Sequence, residues 1–235
     1  MNLILLFPAD FIAETLVRLQ GRRLKHVLDV HRAAAGDELV VGLLSGRIGS
    51  GKIVQLDQEM LEMEVRLERD PPQPLSITLI LALPRPKVLR RVLRSVSAMG
   101  VKRIFLLNAF RVEKSFWQSP FLGSEAINEQ LCLGLEQARD TILPDVQLRK
   151  LFKPFVEDEL PALIKGTEPL VAHPHATAPC PRGINMPVTL AIGPEGGFIP
   201  HEIDQLIACG FTPVQMGERI LSVETAVPAL LSRIV

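Results

Sequence analysis

Two segments late in the chain hold the residue types that cradle small ligands: Ile192-Gly193-Pro194-Glu195-Gly196-Gly197-Phe198 and Met216-Gly217-Glu218-Arg219-Ile220-Leu221-Ser222-Val223-Glu224-Thr225-Ala226. Glycine lets a backbone approach a ligand with no side chain in the way, and it accepts backbone angles that other residues resist. Either segment alone reads as an ordinary strand-to-helix turn, which an α/β domain needs anyway. Two in succession, each with Gly, Glu and a following helix, and one with Arg219 besides, point to neighbouring loops around a single ligand. In an open α/β sheet, ligands bind at loops on the carboxyl ends of strands.

The elements that would position these loops are legible around them. A strand is predicted over Val188–Ile192, bounded by Pro187 and Gly193, and Ile203, Leu206 and Ile207 then give one face of a helix from Pro200 to Cys209. A second strand is predicted over Thr212–Met216. The helix after it, Val223–Ile234, places Val227, Leu230, Leu231 and Ile234 at helical spacing, with Pro228 expected in the first turn, where a missing donor is tolerated.

The chain has 235 residues and an apolar share of 47%, enough for one large domain or two small ones around packed cores. Basic and acidic residues balance at 26 each, so net charge says nothing of an anionic partner. Cys132, Cys180 and Cys209 form no Cys-x-x-Cys pair, and the five histidines offer no zinc-type spacing, so no metal is expected. His173-Pro174-His175 is the nearest candidate and reads as a loop. The apolar start, Asn2–Phe7, is too short for a signal peptide, and Leu75–Leu83 is half of a membrane span. A reducing, cytoplasmic setting is the expectation.

Residues 1–70 read as a β-rich module, with alternation in Glu38–Gly42, Lys52–Leu56 and Leu61–Leu67 and turns at Gly36-Asp37 and Gly46–Gly51. A short helix is predicted around Phe11–Leu19. Pro71, Pro72 and Pro74 mark a boundary. Beyond them, unbroken apolar runs (77–83, 104–107, 170–172, 188–192, 213–216) alternate with helical stretches (88–99, 124–139, 156–164), the composition of buried parallel strands. Gly46-Arg-Ile-Gly-Ser-Gly51-Lys52 has P-loop spacing, but Ile53 stands where Ser or Thr must reach magnesium, and an alternating run follows in place of a helix. A hairpin turn is expected there.

Charge is unevenly placed. Between residues 71 and 114 lie Arg85, Lys87, Arg90, Arg91, Arg94, Lys102, Arg103, Arg111 and Lys114, with Glu113 the lone acid. Lys87, Arg90, Arg91 and Arg94 share one helix face, and Val88, Leu89, Val92, Leu93 and Val96 supply the other. A cationic helix face is often merely solvated. Cations this poorly neutralised attract phosphates, the footprint of a nucleic-acid backbone.

Taken together the segments resemble the RsmE family, knotted SPOUT-class methyltransferases of uridine N3 in 16S ribosomal RNA. Arg22-Arg-Leu-Lys-His26-Val-Leu, Ala35-Gly-Asp37, Ser97-Ala-Met-Gly100-Val, Glu136-Gln137 and Ala172-His173-Pro174 carry the likeness with the two glycine segments. It covers most of the chain. The resemblance implies an α/β fold: a PUA-like RNA-binding barrel over residues 1–70 and a SPOUT-type parallel-sheet domain with a C-terminal trefoil knot over 74–235. It further implies S-adenosylmethionine as cofactor, 16S ribosomal RNA of the small subunit as partner, and a homodimer. Ser222 and Ala138-Arg139-Asp140 depart from the family, which more often has Arg at the former and a small residue, Gly and Arg at the latter.

What the resemblance implies for residues follows the same motifs. Cofactor contacts fall on Ala172, His173 and Pro174; on Ile192, Gly193, Pro194, Glu195, Gly196 and Gly197; and on Met216, Gly217, Ile220, Leu221, Ser222, Glu224, Thr225 and Ala226. RNA contacts are expected from Arg22, Arg23, His26 and Arg32, and from Arg85, Lys87, Arg90, Arg91, Arg94, Arg111 and Lys114. Arg219 is the expected stabiliser of negative charge on a deprotonated uracil. Glu224 or Glu195 is the expected proton acceptor, unless each serves only to cap a helix or bond loop amides. Two other readings stay open: a non-catalytic RNA-binding or ribosome-assembly protein on the same fold, and a SPOUT enzyme with another RNA acceptor.

Overall fold

Alternating and unbroken apolar runs sort the chain into two kinds of sheet, and the computed structural model, which describes residues 2–235, shows both. Two compact units result. The first holds the described residues up to Gln73 together with Leu131–Leu143; the second holds Pro74–Gln130 and Pro144–Val235.

In the first unit, strands β1 (Ile4–Leu6), β2 (Leu16–Leu19), β3 (Glu38–Leu43), β4 (Ile48–Leu56) and β5 (Leu61–Arg69) form a mixed sheet in the order β1-β3-β4-β5-β2. Strand β1 pairs with β3 in parallel, and the other pairs are antiparallel. Period-two alternation turns Leu61, Met63 and Val65 of β5 into the core and Glu64 and Arg66 outward. The stretch expected to be helical near Phe11–Leu19 is instead strand β2, because Val17 and Leu19 alternate into the core against β5. The helix comes next, as α1 (Gly21–His26), and winds through a π turn over Val27–His31 to Arg32 at φ 51°.

The glycine-rich string Gly46–Lys52 belongs to the β3–β4 hairpin, though its turn is shorter than expected, since Ile48–Gly51 is already strand. At Gly49 a Cβ would lie 1.7 Å from the Arg66 carbonyl oxygen, and the β4–β5 register slips between Ile48 and Gly49. Glycine there permits a close backbone approach at a bulge.

The last turns of α3 (Ser124–Ala138) belong to this unit, which the sequence pattern does not reveal. The Glu136 carbonyl accepts from the amides of Asn2 and Leu3, both at 3.0 Å. Its fully buried carboxylate takes a bidentate pair from Arg22 at 2.9 and 2.8 Å. Two pieces of sequence 114 residues apart thus satisfy each other's charge.

In the second unit seven strands run parallel in the order β10-β12-β9-β11-β6-β7-β8. They are β6 (Leu75–Ala82), β7 (Val101–Leu107), β8 (Asp145–Arg149), β9 (Glu168–Ala172), β10 (Ala178–Pro179), β11 (Val188–Ile192) and β12 (Thr212–Gln215). Strand β11 is buried at every position, as a central parallel strand must be. One cross-strand row, Val214-Ala172-Ile192-Leu81-Leu106-Leu148, sets the carboxyl ends of β12, β9, β11, β6, β7 and β8 at one level.

Helix α2 (Pro86–Ala98) follows β6, with Pro86 in its first position, where a fixed φ suits the helix. Leu89, Val92, Leu93 and Val96 form its buried face. In place of the predicted regular helix 156–164, a π turn over Phe155–Glu159 follows α4 (Phe152–Pro154) and leads into α5 (Leu160–Leu163), with Pro161 in its first turn. Helices α6 (Pro200–Ala208) and α7 (Val223–Ile234) follow β11 and β12. Pro228 sits in the second turn of α7 and not the first, so the carbonyl of Glu224 has no i+4 amide to accept from. α7 packs against α2.

Candidate functional site

Three loops leave the common row of strand ends and enclose one cleft: Ala172-His173-Pro174 after β9, Ile192–Gly197 after β11, and Met216–Leu221 after β12. The cleft opens to solvent, and the space within it, counted out to its mouth, is about 670 Å³. Ile192, Val214, Met216, Leu221, Val223 and Leu230 give it an apolar floor, and His173, Glu195, Gln215 and Arg219 a polar rim.

Each loop is pinned by a backbone amide that donates to a fixed acceptor. The His173 amide bonds the Val214 carbonyl at 2.9 Å, tying the β9 loop to β12. Gly197, at φ 71°, turns back so that its amide meets the Pro194 carbonyl at 2.7 Å. At Gly193 a Cβ would sit 2.8 Å from the Phe198 nitrogen, so the loop closes on itself only around glycine. Gly217, at φ 122°, presents its amide to the Gln215 side-chain oxygen.

Of the residues expected at a cofactor, Ala172, His173, Pro174, Ile192, Gly193, Pro194, Glu195, Gly197, Met216, Gly217, Ile220, Leu221 and Ala226 line this cleft, as does Arg219. Gly196, Ser222, Glu224 and Thr225 do not. Gly196 lies under the Arg111 side chain, which donates to its carbonyl. Ser222 caps α7 through its carbonyl, accepting from Thr225 and Ala226 at 3.0 and 2.8 Å, and its hydroxyl meets that of Thr225. Val214, Gln215, Val223 and Leu230 also line the cleft and are not evident from sequence. The first two are the last strand residues before the loop and the others helix-core positions, so nothing local sets them apart from packing.

Both candidate bases are held. Glu195 Oε1 accepts the Arg85 amide at 2.9 Å, across the entrance of α2. Glu224, in the first turn of α7, faces the exposed Arg91 guanidinium at 3.3 Å. Arg219 has no side-chain hydrogen bond or ion pair among the described residues. Burial, and then the neighbouring His175, lower the pKa of His173; the two rings stand 5.6 Å apart.

The cationic face forms as expected. Lys87, Arg90, Arg91 and Arg94 line a surface depression with Ser95 and Gln130. Arg94 donates to the buried Gln130 side chain at 2.8 Å, and the Arg90 guanidinium lies 4.8 Å from the Phe121 ring centroid. Arg85, Arg111 and Lys114 are exposed on the loops after β6 and β7.

In the first unit the picture is mixed. Arg23 is bound by Asp10 through two bonds of 2.5 and 2.7 Å, by the Leu5 carbonyl and by the Phe7 ring, which fixes it as a structural link. Arg22 serves Glu136. His26 is half-buried against His31, and burial lowers its pKa. Arg32 is exposed in a left-handed conformation.

Comparison with known proteins places this geometry. Residues 71–235 match the family described as RNA methyltransferase domain. The ribosomal RNA small subunit methyltransferase E of Treponema pallidum is 29% identical over 96% of this chain and 87% of its own length. The protein of the same name from Synechocystis is 26% identical over 98% and 76%. Among solved structures, the ribosomal RNA small subunit methyltransferase E of Neisseria gonorrhoeae bound to S-adenosylmethionine superposes with a TM-score of 0.72 at 20% identity, covering 99% of this chain and 95% of that one. A Legionella pneumophila protein described as a methyltransferase, with its cofactor bound, gives 0.73 at 22% identity over 98% and 95%. At such identities the superpositions establish the fold.

Proposed function

Since the chain belongs to the RNA methyltransferase family, we propose that it uses S-adenosylmethionine to methylate N3 of a uridine in 16S ribosomal RNA of the small subunit. The observation that carries this reading is one apolar-floored cleft formed by three adjacent loops at the strand ends, in a unit whose α2 face is almost purely cationic. The loop residues suit a nucleoside. Backbone at Gly193, Gly197 and Gly217 is free of Cβ atoms, the floor is apolar, and Glu195 and Arg219 offer opposite charges at the rim. The proposed contacts are the thirteen cleft-lining residues identified above.

When bound, S-adenosylmethionine supplies an electrophilic methyl group on a sulfonium. The chain's part is to align the acceptor nitrogen with it and to manage the proton that nitrogen loses. Arg219, at the rim and unpaired among the described residues, stabilises negative charge on the uracil carbonyls. Glu195 is the better placed proton acceptor, because it lines the cleft whereas Glu224 lies off it and engages Arg91. Glu224 acts through that pair, setting α7 against α2. Because N3 takes part in base pairing, the uridine is presented unpaired or turned out of its stack.

The same reading takes 1–70 as a PUA-like RNA-binding domain and 74–235 as a SPOUT domain with a trefoil knot, working as a cytoplasmic homodimer. Arg85, Lys87, Arg90, Arg91, Arg94, Arg111 and Lys114 hold RNA phosphates, with Arg32 and His26 from the first unit. Mass-spectrometric mapping of 16S ribosomal RNA from cells lacking the gene tests the assignment. A uridine should lose its N3-methyl group and regain it with the wild-type gene, while R219A lowers kcat by about 10²–10³-fold, a larger fall than in cofactor affinity. Unaltered uridines in the deletion strain would overturn it.

A further inference from the structure

The chain contains ten phenylalanines, and nine are buried or half-buried. Phe110 is 77% exposed, the highest value of any large apolar side chain described. It stands on the loop after β7, two residues beyond Asn108 and one before Arg111.

That loop is not loosely held. The Phe110 amide donates to Glu202 Oε1 at 2.7 Å, and Glu202 Oε2 takes the Ile199 amide at 3.0 Å. Glu202 is only 4% exposed. A buried carboxylate is costly, and this one joins the β7 loop to Ile199, which precedes α6 and lies two residues past Gly197 of the cleft. Arg111 completes the link by donating to the Gly196 carbonyl. On either side, Ala109 and Val112 are buried, and Trp117 Nε1 donates to Asn108 Oδ1 at 2.8 Å. The backbone that carries this exposed aromatic ring is thus tied to the segment that walls the cleft.

An isolated exposed apolar residue is common on protein surfaces. One held by a buried charge, next to a guanidinium and flanked in sequence by Arg103, Arg111 and Lys114, matches the way proteins hold single-stranded nucleic acid: a stacking surface beside cations for the backbone. We infer that Phe110 is a base-stacking platform for an unpaired RNA base next to the methylated one, with Arg111 beside it for the adjoining phosphate. This rests on the proposed RNA methyl transfer. It makes Phe110 a substrate-positioning residue at the β6–β7 side of the cleft.

The test is steady-state methyl transfer to small-subunit particles from cells lacking the gene, by wild type, F110A, F110L and F110W. At this exposure no substitution opens a core cavity, and calorimetric affinity for S-adenosylmethionine reports an intact cleft. F110A and F110L should raise KM for the particles roughly 5- to 150-fold with kcat and cofactor affinity little changed, and F110W should restore it. Leucine keeps the apolar bulk without the π face, so F110L with a KM within about twofold of wild type overturns the inference and leaves the methyltransferase reading standing. Wild type that transfers no methyl group overturns both.

Discussion

A methyl added at Gly193 is the most incisive probe of the cleft. The new Cβ of G193A would lie 2.8 Å from the Phe198 nitrogen and 3.1 Å from both the carbonyl carbon and the Cα of Gly197. These are backbone atoms, locked by the 2.7 Å bond from the Gly197 amide to Pro194, so no side chain can swing away to make room. Relief requires the turn itself to open, a kind of overpacking that costs about 1–3 kcal/mol. For a chain of this size that lowers Tm by roughly 2–12 °C, at ~2–4 °C per kcal/mol. If the distortion falls wholly on the bound loop, affinity for S-adenosylmethionine drops by roughly 5- to 150-fold. G196A is the milder comparison: the atoms nearest its Cβ belong to the Arg111 side chain, Cδ at 2.9 Å, which can shift at the cost of its bond to the Gly196 carbonyl, so stability and affinity should fall less than in G193A. Calorimetric titration with S-adenosylmethionine and a thermal melt read both quantities. G193A with the Kd and Tm of G196A would refute the claim that this loop closes only around glycine and grips the cofactor.

Four further outcomes are expected. E202Q keeps one acceptor oxygen but turns an amide group toward a backbone N–H, so it should lose about 1–3 kcal/mol of stability, and hydrogen exchange at Phe110 and Ile199 should quicken. Replacing Lys87 and Arg90 by Ala should reduce the slope of log Kd for RNA against log salt by ~0.7–0.9 for each phosphate no longer neutralised, measured by fluorescence anisotropy. For His173, burial holds the folded pKa below the ordinary 6.5. The unfolded chain therefore binds the proton first, and stability falls as pH drops through 6.5 toward the folded pKa. H173N should flatten that fall in melts between about pH 7 and pH 5, and an NMR titration midpoint at or above 6.5 would contradict the burial argument. The Cys132 thiol, pushed up to about 11 chiefly by burial, with Glu136 adding to the effect, should resist iodoacetamide near pH ~8 in the native protein and react once unfolded.

Much of the second unit can be read from local pattern. The five strands expected there form near their predicted positions, because a parallel strand buried on both faces must be a continuous apolar run. β8 escapes that pattern for the converse reason: Asp145–Arg149 at the sheet edge keeps polar residues, and its burial pattern is mostly partial. The first unit is harder to read where pairing overrides propensity. Leu16–Leu19 looks helical in isolation and is a strand because β5 offers it a partner.

The same division holds at the site. Glycine spacing alone locates the two loops on either side of the cleft, since a loop that must turn sharply and admit a ligand leaves that mark in local sequence. Which charges are free is beyond local sequence. Glu136 and Glu202 look like any solvent-facing glutamates, yet folding buries them against Arg22 and the Phe110 amide, partners 114 and 92 residues away. Arg23 looks like a phosphate ligand until Asp10 takes both of its terminal nitrogens. Residue type and spacing determined the fold class, the ligand loops and the cationic helix. Only the tertiary structure decided which carboxylates and guanidiniums remain available for chemistry, because a charge is consumed by whatever opposite group the chain folds against it, and that partner is set by topology.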